Sequence, residues 1–125
     1  MRVADYMAQF IVGYGITDLF SVVGGGAMHL NDAFGHHGGL HVTYNHHEQA
    51  CAMAAESYAR LTGRIAAVCV TMGPGGTNAI TGVLGGWLDS IPMLVISGQV
   101  KFTTTVASYP ELGLRFCTFL YGRLF

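Results

Sequence analysis

Asn45 to Gly63, NHHEQACAMAAESYARLTG, places one carboxylate, Glu48, at the entrance of a helix otherwise lined with small apolar residues. After Glu48 and Gln49, the run Ala50, Cys51, Ala52, Met53, Ala54, Ala55 is apolar on every face, which predicts a helix packed closely on several sides. Polar residues return with Glu56, Ser57 and Arg60. Glu56 and Arg60 stand four apart in the favourable order and read as an exposed pair. Gly63 ends the helix. Glu48 has no such partner in its own helix, and its position alone leaves two readings open. An acid in a first turn interacts favourably with the helix dipole; an acid at a ligand site does chemistry.

On both sides of this stretch, strands alternate with helices. Val3, Tyr6, Met7, Phe10, Ile11 and Tyr14 recur at helical spacing, with Gly15 as a stop. Thr17 to Val23 is a short β-rich run ending in Gly24, Gly25 and Gly26, after which Ala27, Met28, Leu30, Asn31 and Phe34 resume a helical period. His41 to Asn45 is a second strand, leading into the Glu48 helix. Ile65 to Met72 is nearly all apolar, as expected for a strand covered on both faces. Gly75 to Asn78 open a helix with Ala79, Ile80, Val83, Leu84, Trp87 and Leu88 in period, which Pro92 bars from continuing. Met93 to Ser97 is a fourth strand, closed by Gly98. This alternation predicts an α/β fold, a parallel sheet flanked by helices with right-handed crossovers.

Ligands of such sheets bind beyond the carboxyl ends of the strands. Gly24 to Gly26, His46 to Glu48, Gly73 to Asn78, and Gly98 with Gln99 all fall at those ends. One rim therefore holds nearly all the candidate chemistry.

Hydrophobic residues make up 51% of the 125 residues and charged residues 10%, against roughly 25% charged in an average soluble domain, so much of the surface is expected to meet other protein. A net charge of -1 with a single lysine, Lys101, leaves no footprint for nucleic acid or an anionic membrane. No apolar run reaches the roughly 18 residues of a spanning helix, and the amino terminus lacks an apolar core of signal-peptide length. Cys51, Cys69 and Cys117 show no metal-ligand spacing and read as small core residues in a reducing compartment, which sets a cytoplasmic expectation.

Gly73, Pro74 and Gly75 form either a plain turn or, followed by Gly76, Thr77 and Asn78 at a helix start, a place where backbone N–H groups meet a polar ligand. Gly24 to Gly26 resemble a nucleotide loop, but the third position of the G-x-G-x-x-G fingerprint is His29 and no ribose-binding acid is evident. His36, His37, His41, His46 and His47 lack ligand spacing, so no metal site is expected, and His46 or His47 is expected to cap or hydrogen-bond near the rim. Met28, Met53, Met72 and Met93 are expected to fill gaps in the core.

Taken together, Asn45 to Gly63 and Thr71 to Val100, TMGPGGTNAITGVLGGWLDSIPMLVISGQV, resemble the amino-terminal pyrimidine-binding domain of thiamine diphosphate enzymes, acetolactate synthase branch. HEQ with AAESYARLTG, GPGGTN, and DSIPMLVISGQV stand in the family's order and spacing, and the similarity runs from the first helix to about Arg115. The resemblance implies that Glu48 contacts N1′ of the cofactor's aminopyrimidine and favours its imino tautomer. It also implies that Gly24, Gly25, Gly73, Pro74, Gly75 and Asn78 lie at the cofactor, and that the parent reaction decarboxylates a 2-oxo acid and ligates the fragment.

The loop after the first strand reads Val22, Val23, Gly24, Gly25, Gly26, where the family's acetolactate synthases commonly carry a Tyr-Pro-Gly-Gly type loop. The family's Mg²⁺ and diphosphate ligands belong to a further domain. Residues 1–115 are accordingly expected to be a pyrimidine-binding domain incomplete at its carboxyl end, and residues 116–125, FCTFLYGRLF, a non-matching apolar tail from truncation or frame shift. The expected partners are thiamine diphosphate and a second copy or full-length relative. The other readings are a noncatalytic subunit or remnant that associates with such a relative, and a dinucleotide-binding module.

Overall fold

The computed structural model describes residues 1–100. Helices and strands alternate: α1 (Val3–Gly13), β1 (Asp18–Ser21), α2 (Met28–His36), β2 (His41–Tyr44), α3 (Glu48–Thr62), β3 (Ala66–Val70), α4 (Pro74–Leu88) and β4 (Met93–Ser97), with a single 3-10 turn at Gly25–Ala27 before α2. The four strands are parallel, in the order β2-β1-β3-β4. The expected α/β architecture is therefore present. Strands one to three are each shorter than the apolar runs that announced them, because their last residues leave the ladder to form the rim.

The order reverses between β1 and β3. With right-handed crossovers, the β1-to-β2 helix falls on one face of the sheet and the two later helices on the other. The core divides accordingly. Ala8, Ile11, Phe34, Leu19, Ala67, Cys69 and Ile96 pack on the α1/α2 face, and Cys51, Ala52, Ala55, Ala66, Val68, Val70, Ala79 and Val95 on the α3/α4 face. Successive residues of β3 alternate between these clusters, as a strand requires, and all five are buried. That is the doubly covered strand its sequence predicts.

The turn glycines act where the chain reverses. Gly15 at φ +82 and Gly63 at φ +68 take left-handed conformations just after α1 and α3, which glycine adopts without penalty. Their N–H groups donate to Val12 and Ala59 carbonyls at 2.8 and 2.9 Å, closing each helix end.

Two expectations about packing are corrected. On α1 the buried residues are Ala4, Ala8 and Ile11, while Val3, Tyr6, Phe10 and Tyr14 face outward. On α4 they are Gly75, Ala79, Gly82 and Gly86, while Ile80, Leu84, Trp87 and Leu88 are exposed. The small residues let these helices approach their neighbours closely, and the large ones point away. Met28, Met53 and Met72 are likewise exposed rather than core fillers, and of the four methionines expected in the core Met93 alone packs against it.

The α3/α4 contact is the most extensive between helices. A methyl group built on Gly82 would stand 2.6 Å from the Ala52 Cβ and 3.0 Å from the Met53 backbone nitrogen. The helices touch there backbone to backbone. Glu56 and Arg60 form the expected pair, and Arg60 also binds Asp89 beyond α4.

Candidate functional site

The carboxyl ends of the strands assemble the rim that the sequence predicts. His47 is the N-cap of α3, its Nδ1 accepting from the Gln49 N–H at 3.1 Å. This places Glu48 at the first helical position, half-buried. Its missing partner comes from the neighbouring helix: Asn78 Nδ2 donates to Glu48 Oε2 at 3.0 Å. Glu48 Oε1 lies 3.5 Å from where a Cβ on Gly75 would stand. One carboxylate oxygen is thus held by an amide and the other sits against bare backbone.

The turn before α4 explains its composition. Gly73 takes φ +56 and ψ -117, a left-handed region that favours glycine, and Pro74 follows at the first position of the helix, where its missing N–H costs nothing. Gly75 is buried, and a side chain there would meet Thr71 Cγ2 at 2.7 Å. No atom lies within 4 Å of a Cβ built on Gly73 or Gly25, so both border open space. Gly24 is different. A Cβ there would overlap Thr71 Cβ at 2.4 Å, so tight packing accounts for that glycine.

Thr71 and Ser97 are rim residues to which the sequence assigned no role. The Thr71 hydroxyl accepts from the Gly26 N–H at 3.1 Å, and the Ser97 hydroxyl donates to the Thr71 carbonyl at 3.3 Å. A signal was present: a small β-branched residue stands at a strand end with glycines on both of its neighbouring loops.

The histidines do not converge. His41 begins β2 at the opposite end of the sheet, 3.4 Å from Asp18, whereas His36 approaches Asp32 on α2 and His47 caps α3. Among the described residues no group of three or more His, Cys, Asp or Glu could hold a metal. Cys51 and Cys69 are buried free thiols; burial raises both, Cys69 to about 12. Cys117 and the tail 116–125 lie outside the described residues. An open cleft of about 390 Å³ between α1 and α2 is lined by Arg2, Asp5, Asp32 and His36. Its charges are mutually engaged: Arg2 binds Asp5 and Asp32 at 2.7 Å each, which raises the guanidinium and lowers both carboxyls. No helix among the described residues is long and apolar enough to cross a membrane.

The rim's glycine turns and Glu48–Asn78 pair occur in a chain whose residues 1–113 match the model of the thiamine pyrophosphate enzyme N-terminal TPP binding domain. The chain belongs to this family. Similar proteins include the acetolactate synthase large subunit of Buchnera aphidicola subsp. Schizaphis graminum, 45% identical over 97 residues, which are 78% of this chain and 17% of that protein. The acetolactate synthase isozyme 3 large subunit of Escherichia coli is 40% identical over 97 residues, with the same coverage of 78% and 17%. Acetolactate synthase 2, chloroplastic, of Nicotiana tabacum is 36% identical over 97 residues, 78% of this chain and 15% of that protein. The chain matches 17% or less of the length of these relatives. It is an N-terminal TPP domain of the acetolactate synthase-like kind.

Proposed function

We propose that residues 1–115 hold the aminopyrimidine end of thiamine diphosphate as the amino-terminal part of an acetolactate synthase-like enzyme, one that decarboxylates a 2-oxo acid and ligates the resulting fragment. The observation that supports this most is the Glu48–Asn78 pair beside the Gly73 to Gly75 turn. The site fits a planar, hydrogen-bonding heterocycle. Asn78 fixes the carboxyl plane through Oε2 at 3.0 Å, which keeps Oε1 for a ring nitrogen. Gly73 and Gly75 add no side chain on the approach, so a ring can lie against backbone.

Thiamine diphosphate, when bound, supplies the electron sink for loss of the 2-oxo acid carboxylate. Glu48 would hold the cofactor's pyrimidine ring through a proton shared with its carboxyl group. Asn78 orients that carboxyl group. Gly73, Pro74 and Gly75 would flank the ring, and Gly25 would present backbone from the β1 loop. Gly24 contributes by packing that loop on Thr71. The diphosphate needs Mg²⁺ and oxygen ligands to balance its charge, and we assign these to a separate domain; residues 116–125 belong to neither part.

The test replaces the aligned segment of the Escherichia coli isozyme 3 large subunit with this chain's residues and measures thiamine diphosphate binding by calorimetry. Retained stoichiometric binding is expected. A folded chimera that binds none overturns the reading.

A second role is favoured by the outward apolar residues of α4, Ile80, Leu84, Trp87 and Leu88. These suit association with another copy or a full-length relative, as a catalytic part or as a noncatalytic subunit. Light scattering of the chain mixed with such a relative tests it: only unassociated material counts against it.

A further inference from the structure

Three glycine positions on two separate loops crowd a single side chain. Cβ atoms built on Gly24, Gly26 and Gly75 would come within 2.4, 3.1 and 2.7 Å of Thr71 side-chain atoms. Gly24 and Gly26 belong to the loop after β1; Gly75 opens α4, one turn before Asn78. Thr71 meets the β1 loop with its hydroxyl, Cβ and methyl, and the Gly75 turn with its methyl. Its hydroxyl accepts the Gly26 N–H at 3.1 Å, while its methyl carbon Cγ2 is the atom nearest Gly75. Its backbone carbonyl takes the Ser97 hydroxyl at 3.3 Å from the end of β4.

We propose that Thr71 is the positioning residue of this rim, setting the β1 glycine loop with its hydroxyl and the Gly75 turn, hence the Asn78 contact to Glu48, with its methyl. The inference rests on the proposed function for its relevance to the cofactor, but not for its geometry. Of the two groups on this β-branched carbon, the hydroxyl bonds the β1 loop, while the methyl packs against both the Gly75 turn and Gly24. Serine keeps the hydroxyl and valine the methyl positions, so the Gly26 hydrogen bond and the methyl packing can be removed one at a time.

The test uses the 125-residue chain without ligand, followed by NMR. Thr71→Val removes the acceptor and keeps the shape: exchange of the Gly26 amide should accelerate about tenfold, with the Asn78 side-chain amide resonances unchanged. Thr71→Ser should preserve Gly26 protection and shift the Asn78 resonances. A role in general stability alone would move both readouts together in both variants, and that outcome, or no change in either, overturns the proposal. Should Thr71→Val fail to fold, Thr71→Ser decides: loss of Gly26 protection, or unmoved Asn78 resonances, refutes it. Adding thiamine diphosphate and Mg²⁺ to the chimera separates the two claims. A chimera that ignores the cofactor defeats the functional reading and leaves the Thr71 result standing.

Discussion

Gly82 lies one helical turn beyond Asn78, and Ala52 lies one turn beyond Glu48, so their contact sets the spacing of the polar pair above it. A methyl on Gly82 would approach Ala52 Cβ to 2.6 Å, whereas contacting carbons sit about 3.5 to 4.0 Å apart. Gly82→Ala must therefore push α3 and α4 apart by about 1 Å. A displacement of that size takes the 3.0 Å Asn78–Glu48 hydrogen bond out of range. Overpacking of this kind costs about 1–3 kcal/mol, and replacing a helical glycine by alanine recovers about 1 kcal/mol. The expected net loss is about 1 kcal/mol. Ala52→Gly reopens the space, so the double variant should be more stable than additivity predicts by about 1–3 kcal/mol. Urea unfolding of the four proteins of the cycle measures this. A Gly82→Ala protein more stable than the parent, with additive double-variant behaviour, would refute the close-contact argument.

Tyr58 donates to Asp18 Oδ2 at 2.7 Å, and Tyr58→Phe should cost about 1–2 kcal/mol near neutral pH. Burial pushes the Asp18 carboxyl up, but hydrogen bonds from Tyr58, Thr17 and His41 outweigh it and hold it below its ordinary value. A depressed folded-state pKa stabilises above the unfolded value, about 3.9, and the benefit is lost as the pH falls further. The gap between variant and parent should therefore shrink toward about pH 2; a gap independent of pH would sink this assignment. The isolated 125-residue chain should bind thiamine diphosphate weakly or not at all, should not turn over substrate, and should self-associate through its exposed apolar side chains. Calorimetry showing stoichiometric binding at low micromolar concentration would contradict it. Cys51 and Cys69 should resist a thiol reagent in the native chain, since burial raises both thiols; prompt labelling in folded protein would count against the packing described.

The α/β order was legible because each strand is an apolar run ended by glycine or polar residues, a pattern local enough for sequence to carry. The same holds for the Gly63 stop and the Glu56–Arg60 pair, and in part for the cap, which the sequence left between His46 and His47 and the structure gives to His47. Which face of a helix is buried was not legible on α1 and α4. Periodicity marks the large residues, but close packing selected Ala4 and Ala8 on α1 and Gly82 and Gly86 on α4. Glu48's partner was also hidden, because Asn78 stands 30 residues away and reaches it only through the α3/α4 contact. Thr71 escaped for a related reason. Its importance lies in three glycines that come together only when the strand order brings two loops beside one strand end.

The central claim is that Glu48 holds the pyrimidine proton, and exchange of the C2 proton of bound thiamine diphosphate measures it most directly. In the chimeric large subunit, Glu48→Gln keeps the size of the side chain and an acceptor for Asn78 while removing the acid. NMR-monitored exchange should slow by about a hundredfold or more, with the fold and cofactor occupancy retained. Exchange at the parental rate, in a variant that still binds the cofactor, would contradict the role assigned to Glu48.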